Sequence, residues 1–265
     1  FETKGTDDFG NIRVINTPIS EILISGVCVG AAMAGMRPVA DLQYGDFLFC
    51  MMDQLVNQAA KMCYMSNGQV HIPMVMRAPC GATNRGAQHA QSLESYFTHV
   101  PGLKVICPST AYDAKGMMQS ALNGTDPVIF LESQRIYDMG ERFHPEGVPE
   151  EEYEITLGEP DVKRCGTDVT ILSIGATLYR AIEAADILQN QYGVSAEVID
   201  ARSLVPFQYE KVIESVKKTG RIVVTGDACE RNSFMRNLAS NITELAFDYL
   251  DAPPVVVGAK NWITP

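Results

Sequence analysis

Four side chains in the first third of this chain have types and positions suited to chemistry: Glu21, Gln43, Phe47 and His89. Thr17 is placed to cap a helix and Pro18 to take its first position. Glu21 then falls in the first turn, where the helix dipole favours an anion. The run behind it, Gly26-Val27-Cys28-Val29-Gly30-Ala31-Ala32-Met33-Ala34-Gly35, is small and apolar nearly all round, so the helix is expected to be buried. Glu21 is therefore either an ordinary helix-start charge or an acid–base carboxylate at a sheet edge, where ligands bind in open α/β folds. Gln43 and Phe47 lie in Asp41-Leu42-Gln43-Tyr44-Gly45-Asp46-Phe47, the end of a strand running into a helix. They are either a satisfied amide and a core aromatic, or a hydrogen-bonding group and an aromatic wall for a flat heterocycle. His89 follows the glycine-bearing stretch Arg77 to Gly86. It either faces solvent or, at the end of a loop after a strand, faces a substrate.

The elements that must position these residues alternate along the chain. Strand patterns fall at 37–42, 71–76, 103–107 and 127–131. Helical periodicity fills 47–65, with Phe47, Met51, Leu55 and Ala59 on one face, then 89–99 and 110–122, the last capped by Ser109. Residues 138–159 break the rhythm, with His144-Pro145-Glu146-Gly147-Val148-Pro149-Glu150-Glu151-Glu152 and no apolar period; by composition this is a linker. Strands at 168–174, 194–199, 221–225 and 254–257 then alternate with helices at 177–192, 208–218 and 232–249. Strands spaced by helices predict mainly parallel sheets covered on both faces.

The net charge of −11 argues against nucleic acid and anionic membrane surfaces, which attract basic patches. No apolar run reaches the ~18 residues of a membrane span. The seven cysteines are never closer than 13 residues, so no Cys-x-x-Cys pair exists, and they read as buried free thiols of a reducing compartment. No His-x-x-x-His pair, P-loop, dinucleotide loop or nucleophile elbow occurs. The chain opens on Phe1 and closes on Pro265, which reads as part of a longer protein.

Several segments together resemble one family: Thr17-Pro18-Ile19-Ser20-Glu21, Gly30 to Pro38, Asp53 to Lys61, Gly86-Ala87-Gln88-His89-Ala90-Gln91-Ser92, Pro101 to Val105 and Asp113-Ala114-Lys115-Gly116. The chain is similar to β subunits of the thiamine-diphosphate-dependent decarboxylating component of 2-oxo acid dehydrogenase complexes, the pyruvate, branched-chain and acetoin enzymes. The likeness runs over nearly the whole chain. It implies two three-layer αβα domains: a pyrimidine-binding domain at 1–137, a linker at 138–160 and a transketolase C-terminal-like domain at 161–265.

The resemblance also implies roles. Glu21 matches the glutamate that hydrogen-bonds the cofactor's aminopyrimidine, Phe47 the aromatic packed on that ring, and Gln43 a cofactor-side glutamine of some members. His89 matches the histidine that faces the substrate and the incoming lipoyl group, so Glu21 and His89 are the expected catalytic residues. Gly226-Asp227-Ala228 resembles the start of the thiamine-diphosphate metal motif but has Ala228 at its third position. Asn241 and Asn261, 15 and 35 residues past Gly226, bracket the motif's spacing without meeting it. The likeness accordingly implies that an α subunit carries Mg2+ and the diphosphate, in an assembly of two α and two β subunits docked on a lipoyl acyltransferase core. It implies a bacterial cytoplasm or mitochondrial matrix. Two other readings stand beside it. One is a fragment of a transketolase or deoxyxylulose-phosphate synthase, whose Ala-Glu-Gln-like helix start differs from Ser20-Glu21-Ile22. The other is a non-catalytic scaffold, for which Glu21, Phe47 and His89 would have no use.

Overall fold

The structure is a computed structural model that describes residues 8–10 and 12–265. Helix α1 (Glu21–Met33) leads into β1 (Val39–Asp41), and a helical stretch ending in α2 (Ala60–Met65) leads to β2 (Val75–Cys80). Then follow α3 (Glu94–Thr98), β3 (Lys104–Ile106), α4 (Ala111–Asn123) and β4 (Val128–Ser133). The second half holds β5 (Asp161–Arg164), β6 (Val169–Ser173), α5 (Thr177–Ile187), β7 (Ala196–Asp200), β8 (Ser203–Val205), α6 (Glu210–Thr219), β9 (Ile222–Cys229), α7 (Phe234–Ala246) and β10 (Val255–Ala259).

These strands form two five-stranded sheets, in the orders β1-β2-β4-β3-β8 and β10-β9-β6-β7-β5. Each is parallel except for one edge strand: β8 runs antiparallel to β3, and β5 antiparallel to β7. The expected α/β layering holds. In β4, Ile129 and Leu131 face a core shared with α1, while Val128 and Phe130 face α4. In β6 and β7, Leu172 and Ile199 point towards α6 and α7, while Ile171 and Val198 point towards α5. One hydrophobic core runs unbroken from α1 through both sheets to α7.

Several local expectations change. Helix α1 begins at Glu21 with extended Ser20 before it, because the Ser20 carbonyl accepts the first helical bond from Ile24 N–H; Thr17 and Pro18 precede the helix. The 47–65 stretch is helical in three windings: a 3-10 segment Gly45–Met51, a π segment Asp53–Ala59 and α2. The 89–99 helix is split into a 3-10 turn, Ala87–His89, and α3. Thr110, not Ser109, caps α4 by accepting from Asp113 N–H, while Ser109 Oγ donates to Asp200. All seven cysteines are free, but only Cys28, Cys80 and Cys107 are buried. Helix α1 buries only Ser25, Cys28, Val29 and Ala32, so its small apolar surface is half exposed.

Strands β5 (Asp-Val-Lys-Arg) and β8 (Ser-Leu-Val) are not among the expected strands: β5 has one apolar residue among charges and β8 ends before a proline, so neither carries a strand pattern readable in sequence. Strand β8 matters because it comes from the second half yet extends the first sheet. Around it lies a buried charge cluster. Asp113 on α4 binds Arg202 at 2.6 Å and Lys163 at 2.8 Å. Burial would raise the Asp113 carboxyl, but Lys163 and Arg202 outweigh it and hold it below its ordinary value. The compositional linker is packed: Tyr153 and Ile155 lie so close to Gly116 that a Cβ there would sit 2.6 Å from Tyr153.

Candidate active site

Parallel strands fix where the four residues lie. A helix that feeds a parallel strand runs back along it, so the first turn of α1 lies at the carboxyl edge of the first sheet. Gln43 and Phe47 follow β1 and His89 follows β2 at that same edge. Ligands of open α/β sheets bind there, because loops end at strand termini and leave crevices. Helix α1 packs on the 3-10 winding that carries Phe47 and on the π winding after it.

Glu21 is half-buried. Ser25 Oγ donates to its carbonyl at 2.8 Å, which ties down the first turn and leaves the carboxylate unused. Among the described residues the Glu21 carboxylate forms no hydrogen bond or ion pair. Gln43 is exposed and is likewise unbonded among the described residues.

The structure brings Phe47 and His89 together. The His89 ring packs edge-on against Tyr44, with centroids 4.3 Å apart, and against Phe47 at 5.8 Å. His89 Nδ1 lies 3.2 Å from the Arg85 carbonyl. A carbonyl only accepts, so Nδ1 carries the proton, and Nε2 is the nitrogen left for chemistry. The loop holding His89 is tied internally. Gly81 N–H donates to the Gln91 carbonyl at 3.0 Å, and Thr83 Oγ1 donates to the His89 carbonyl at 2.6 Å. Gln91 Nε2 donates to buried Asp46 at 2.6 Å, joining the loop to the winding that carries Phe47. Residues 90–93, between the 3-10 turn and α3, are held in irregular backbone by these ties.

Behind the edge, a charged ladder crosses three strands. Arg77 on β2 reaches Asp41 on β1 at 3.0 Å and Glu132 on β4 at 2.8 Å, and Tyr137 donates to Glu132 at 2.7 Å. The bond to Glu132 raises the Arg77 guanidinium further still, against the cost of burial. Burial pushes the Asp41 carboxyl up despite Arg77.

Sequence reasoning missed Tyr44, the Asp46–Gln91 tie and the Arg77 ladder. Tyr44 was legible as a second aromatic beside Gln43; the ties are tertiary and left no local mark. It also set Asp227 aside, which the structure places against this loop. For an aminopyrimidine the donor set fits: a half-buried carboxylate with no protein partner among the described residues, and a half-buried phenyl ring. Among the described residues no three His, Cys, Asp or Glu side chains gather as a metal site.

Residues 1–139 match the family profile "Transketolase, pyrimidine binding domain", and residues 158–265 match "Transketolase, C-terminal domain". The chain is 41% identical over 248 residues to a Bacillus subtilis protein named 2-oxoisovalerate dehydrogenase subunit beta, covering 93% of this chain and 74% of that one. It is 43% identical over 252 residues to the subunit beta of acetoin:2,6-dichlorophenolindophenol oxidoreductase from Cupriavidus necator, covering 94% and 72%. It is 40% identical over 259 residues to the pyruvate dehydrogenase E1 component subunit beta of Bacillus subtilis, covering 97% and 78%. Among solved structures, a split-gene transketolase described as an inactive beta4 tetramer superposes with a TM-score of 0.78 at 23% identity, covering 100% of this chain and 82% of that one; this is a likeness of fold.

Proposed function

The chain belongs to the family of β subunits of the thiamine-dependent decarboxylating components of 2-oxo acid and acetoin dehydrogenase complexes, and on that footing we propose how its residues work. Glu21 and His89 are catalytic, and Glu21, Gln43 and Phe47 contact the cofactor. The observation that carries this reading is the edge-on packing of His89 on Phe47 and Tyr44, at the sheet edge where α1 begins with Glu21.

When bound, thiamine diphosphate supplies the reactive thiazolium carbon and the electron sink for decarboxylation. Glu21 hydrogen-bonds a ring nitrogen of the aminopyrimidine and shares a proton there. Phe47 covers one face of that ring and keeps water from it, and Gln43 offers an amide at the rim. His89 keeps Nδ1–H on the Arg85 carbonyl and uses Nε2 to move a proton at the substrate oxygen as the lipoyl group is acylated.

An α subunit completes the site and holds Mg2+ and the diphosphate. Two supports for this are the incomplete Gly226-Asp227-Ala228 pattern and the apolar face of α1 left uncovered in this chain. The assembly is two α and two β subunits, docked on a lipoyl acyltransferase core. Residues 1–137 form the pyrimidine-binding unit, 138–160 the connection and 161–265 the transketolase C-terminal-like unit. The substrate is a small 2-oxo acid or acetoin; nucleic acid and membranes are not partners of so acidic a chain. Seven free thiols suit a reducing compartment, a bacterial cytoplasm or the mitochondrial matrix. Among the described residues no helix is long and apolar enough to cross a membrane.

The test is oxidative turnover of pyruvate and branched-chain 2-oxo acids, which lose CO2, and of acetoin, which is cleaved at the carbon–carbon bond beside its carbonyl, each read with an artificial electron acceptor. It uses the full-length chain co-expressed with its α subunit, with and without thiamine diphosphate and Mg2+. Cofactor-dependent turnover is the expected result and identifies the substrate. A well-folded assembly that turns over none of them sinks the reading in favour of a scaffold or another ketol chemistry.

A further inference from the structure

The loop that carries His89 is anchored at its base by a carboxylate from the other half of the molecule. Asp227 lies on β9 in the second sheet. Its carboxylate meets Gly81, the first residue after β2: a Cβ at Gly81 would lie 3.3 Å from Asp227 Oδ2 and 3.3 Å from Ser133 Oγ. Gly81 has φ +90°, a conformation open to glycine, and it gives the space this carboxylate fills. Arg135, in the turn after β4, donates to both oxygens of Asp227, at 3.1 and 3.4 Å. Burial raises the Asp227 carboxyl, against the opposing pull of Arg135 and of the Ala82 amide. Ser133 Oγ, buried at the same spot, has no hydrogen-bond partner among the described residues. A second tie runs alongside, where Ser95 Oγ accepts from Phe234 N–H at the start of α7 at 2.9 Å.

A half-buried acid placed against the base of a loop, with one arginine to neutralise it, is more than the fold needs. The two sheets are already joined by β8 and by the Asp113–Arg202 pair. What Asp227 adds is specific to residues 81–82, where the loop leaves β2. From there the chain runs through Thr83, whose hydroxyl holds the His89 carbonyl, to His89 itself.

We propose that Asp227, paired with Arg135, is a positioning residue that sets the base of loop 81–92 and through it the aim of His89. This rests on the role proposed above for His89. The pair makes the second half of the chain a part of the transfer step although none of its residues touches the reacting atoms.

The test uses the assembled enzyme with Asp227→Asn, Asp227→Glu, Arg135→Gln and the Asp227→Asn/Arg135→Gln double variant. The substrate is pyruvate, 3-methyl-2-oxobutanoate or acetoin, whichever the unsubstituted assembly turns over. Three quantities are read: substrate turnover with an artificial acceptor, acylation of a free lipoyl domain, and amide hydrogen exchange across residues 82–92. Exchange in the loop should rise, and kcat for lipoyl acylation should fall about 10- to 100-fold, the scale of an ångström-sized misplacement. Artificial-acceptor turnover should hold. The double variant should lose no more than either single one, since partners in one pair are not additive, and Asp227→Glu should recover part of the loss. Arg135 is surface-lying, so its variant keeps the test valid if Asp227→Asn folds poorly. Unchanged loop exchange in both single variants overturns the proposal. So does faster exchange with full lipoyl acylation, provided His89→Ala abolishes acylation. If His89→Ala also leaves acylation intact, the role of His89 falls, while the exchange result still upholds the anchor.

Discussion

Helices α1 and α6 both cover a parallel sheet, and both begin on a glutamate, Glu21 and Glu210. In every other respect they differ. Helix α6 buries Val212, Ser215, Val216 and Thr219 and turns Glu210, Lys211, Glu214, Lys217 and Lys218 outward, with Lys217 over the ring of Tyr249 at 4.9 Å. It is finished within this chain, with apolar residues in and charges out. Helix α1 has no charge after Glu21 and leaves Ile22, Leu23, Val27 and Met33 exposed. A sequence that keeps such a face apolar is written for a second surface. The same residue at the same helical position therefore has two meanings: Glu210 is solvated at the start of a finished helix, and Glu21 stands at the rim of an unfinished one.

The sharpest way to break the comparison is to truncate both glutamates in the assembled enzyme. Glu21→Ala should lower cofactor-dependent turnover about a hundred- to ten-thousand-fold, the range for a positioned acid–base group, with the fold intact by circular dichroism. Glu210→Ala removes only a helix-start charge, about 0.3–1 kcal/mol of stability, and should leave turnover unchanged. Equal losses from the two, or normal turnover in Glu21→Ala, would end the assignment. Next comes His89→Ala, expected to cut lipoyl acylation about a hundredfold, as for loss of one oxyanion donor. Turnover with an artificial acceptor should persist. A variant that loses both activities together would make His89 part of cofactor binding rather than of transfer.

The comparison also explains what the sequence could tell. Helix α6 was legible because its period and its environment agree. The burial expected of α1 was a sound inference from composition, yet within this chain only one face is covered; period alone does not say which molecule supplies the cover. The alternation of strands and helices predicted both sheets, but β8 crossed from one half to the other unseen, since three residues before a proline carry almost no pattern. Glu21, Phe47 and His89 stood out because each follows or begins an element at a carboxyl edge. Asp227 was dismissed because it was weighed as a metal motif, whereas its contacts with Gly81 and Arg135 come from residues more than ninety positions away. Chemistry written into one segment is readable; chemistry made by packing is not.

A smaller effect tests the two helix faces themselves. Val216 is fully buried and Val27 is 57% exposed. Val216→Ala should cost about 2 kcal/mol through lost burial and the cavity left behind, seen in urea unfolding of the β chain. Val27→Ala should change that stability by no more than about 0.5 kcal/mol, yet raise the protein concentration needed for assembly with the α subunit. Assembly unaffected by Val27→Ala and by Leu23→Ala would mean that the open face of α1 serves no contact.

The last expected effect lies beneath the site, on stability rather than on activity. Burial pushes the Glu94 carboxyl from its ordinary 4.5 up to about 7, opposed by a bond to its own backbone and aided by Asp227. For an acid, a raised folded value means that the native state holds a proton which the unfolded chain has already released. Stability must then fall as pH rises through the window from 4.5 to about 7. Glu94→Gln, neutral throughout, removes that component of the slope. Chemical unfolding at about pH 5 and about pH 7.5 checks it: the glutamine variant should gain on the parent between the two conditions. A constant difference would mean that Glu94 is ionised in the folded chain. It would then repel Asp227 at neutral pH, and Arg135 would be holding the loop base against two charges rather than one.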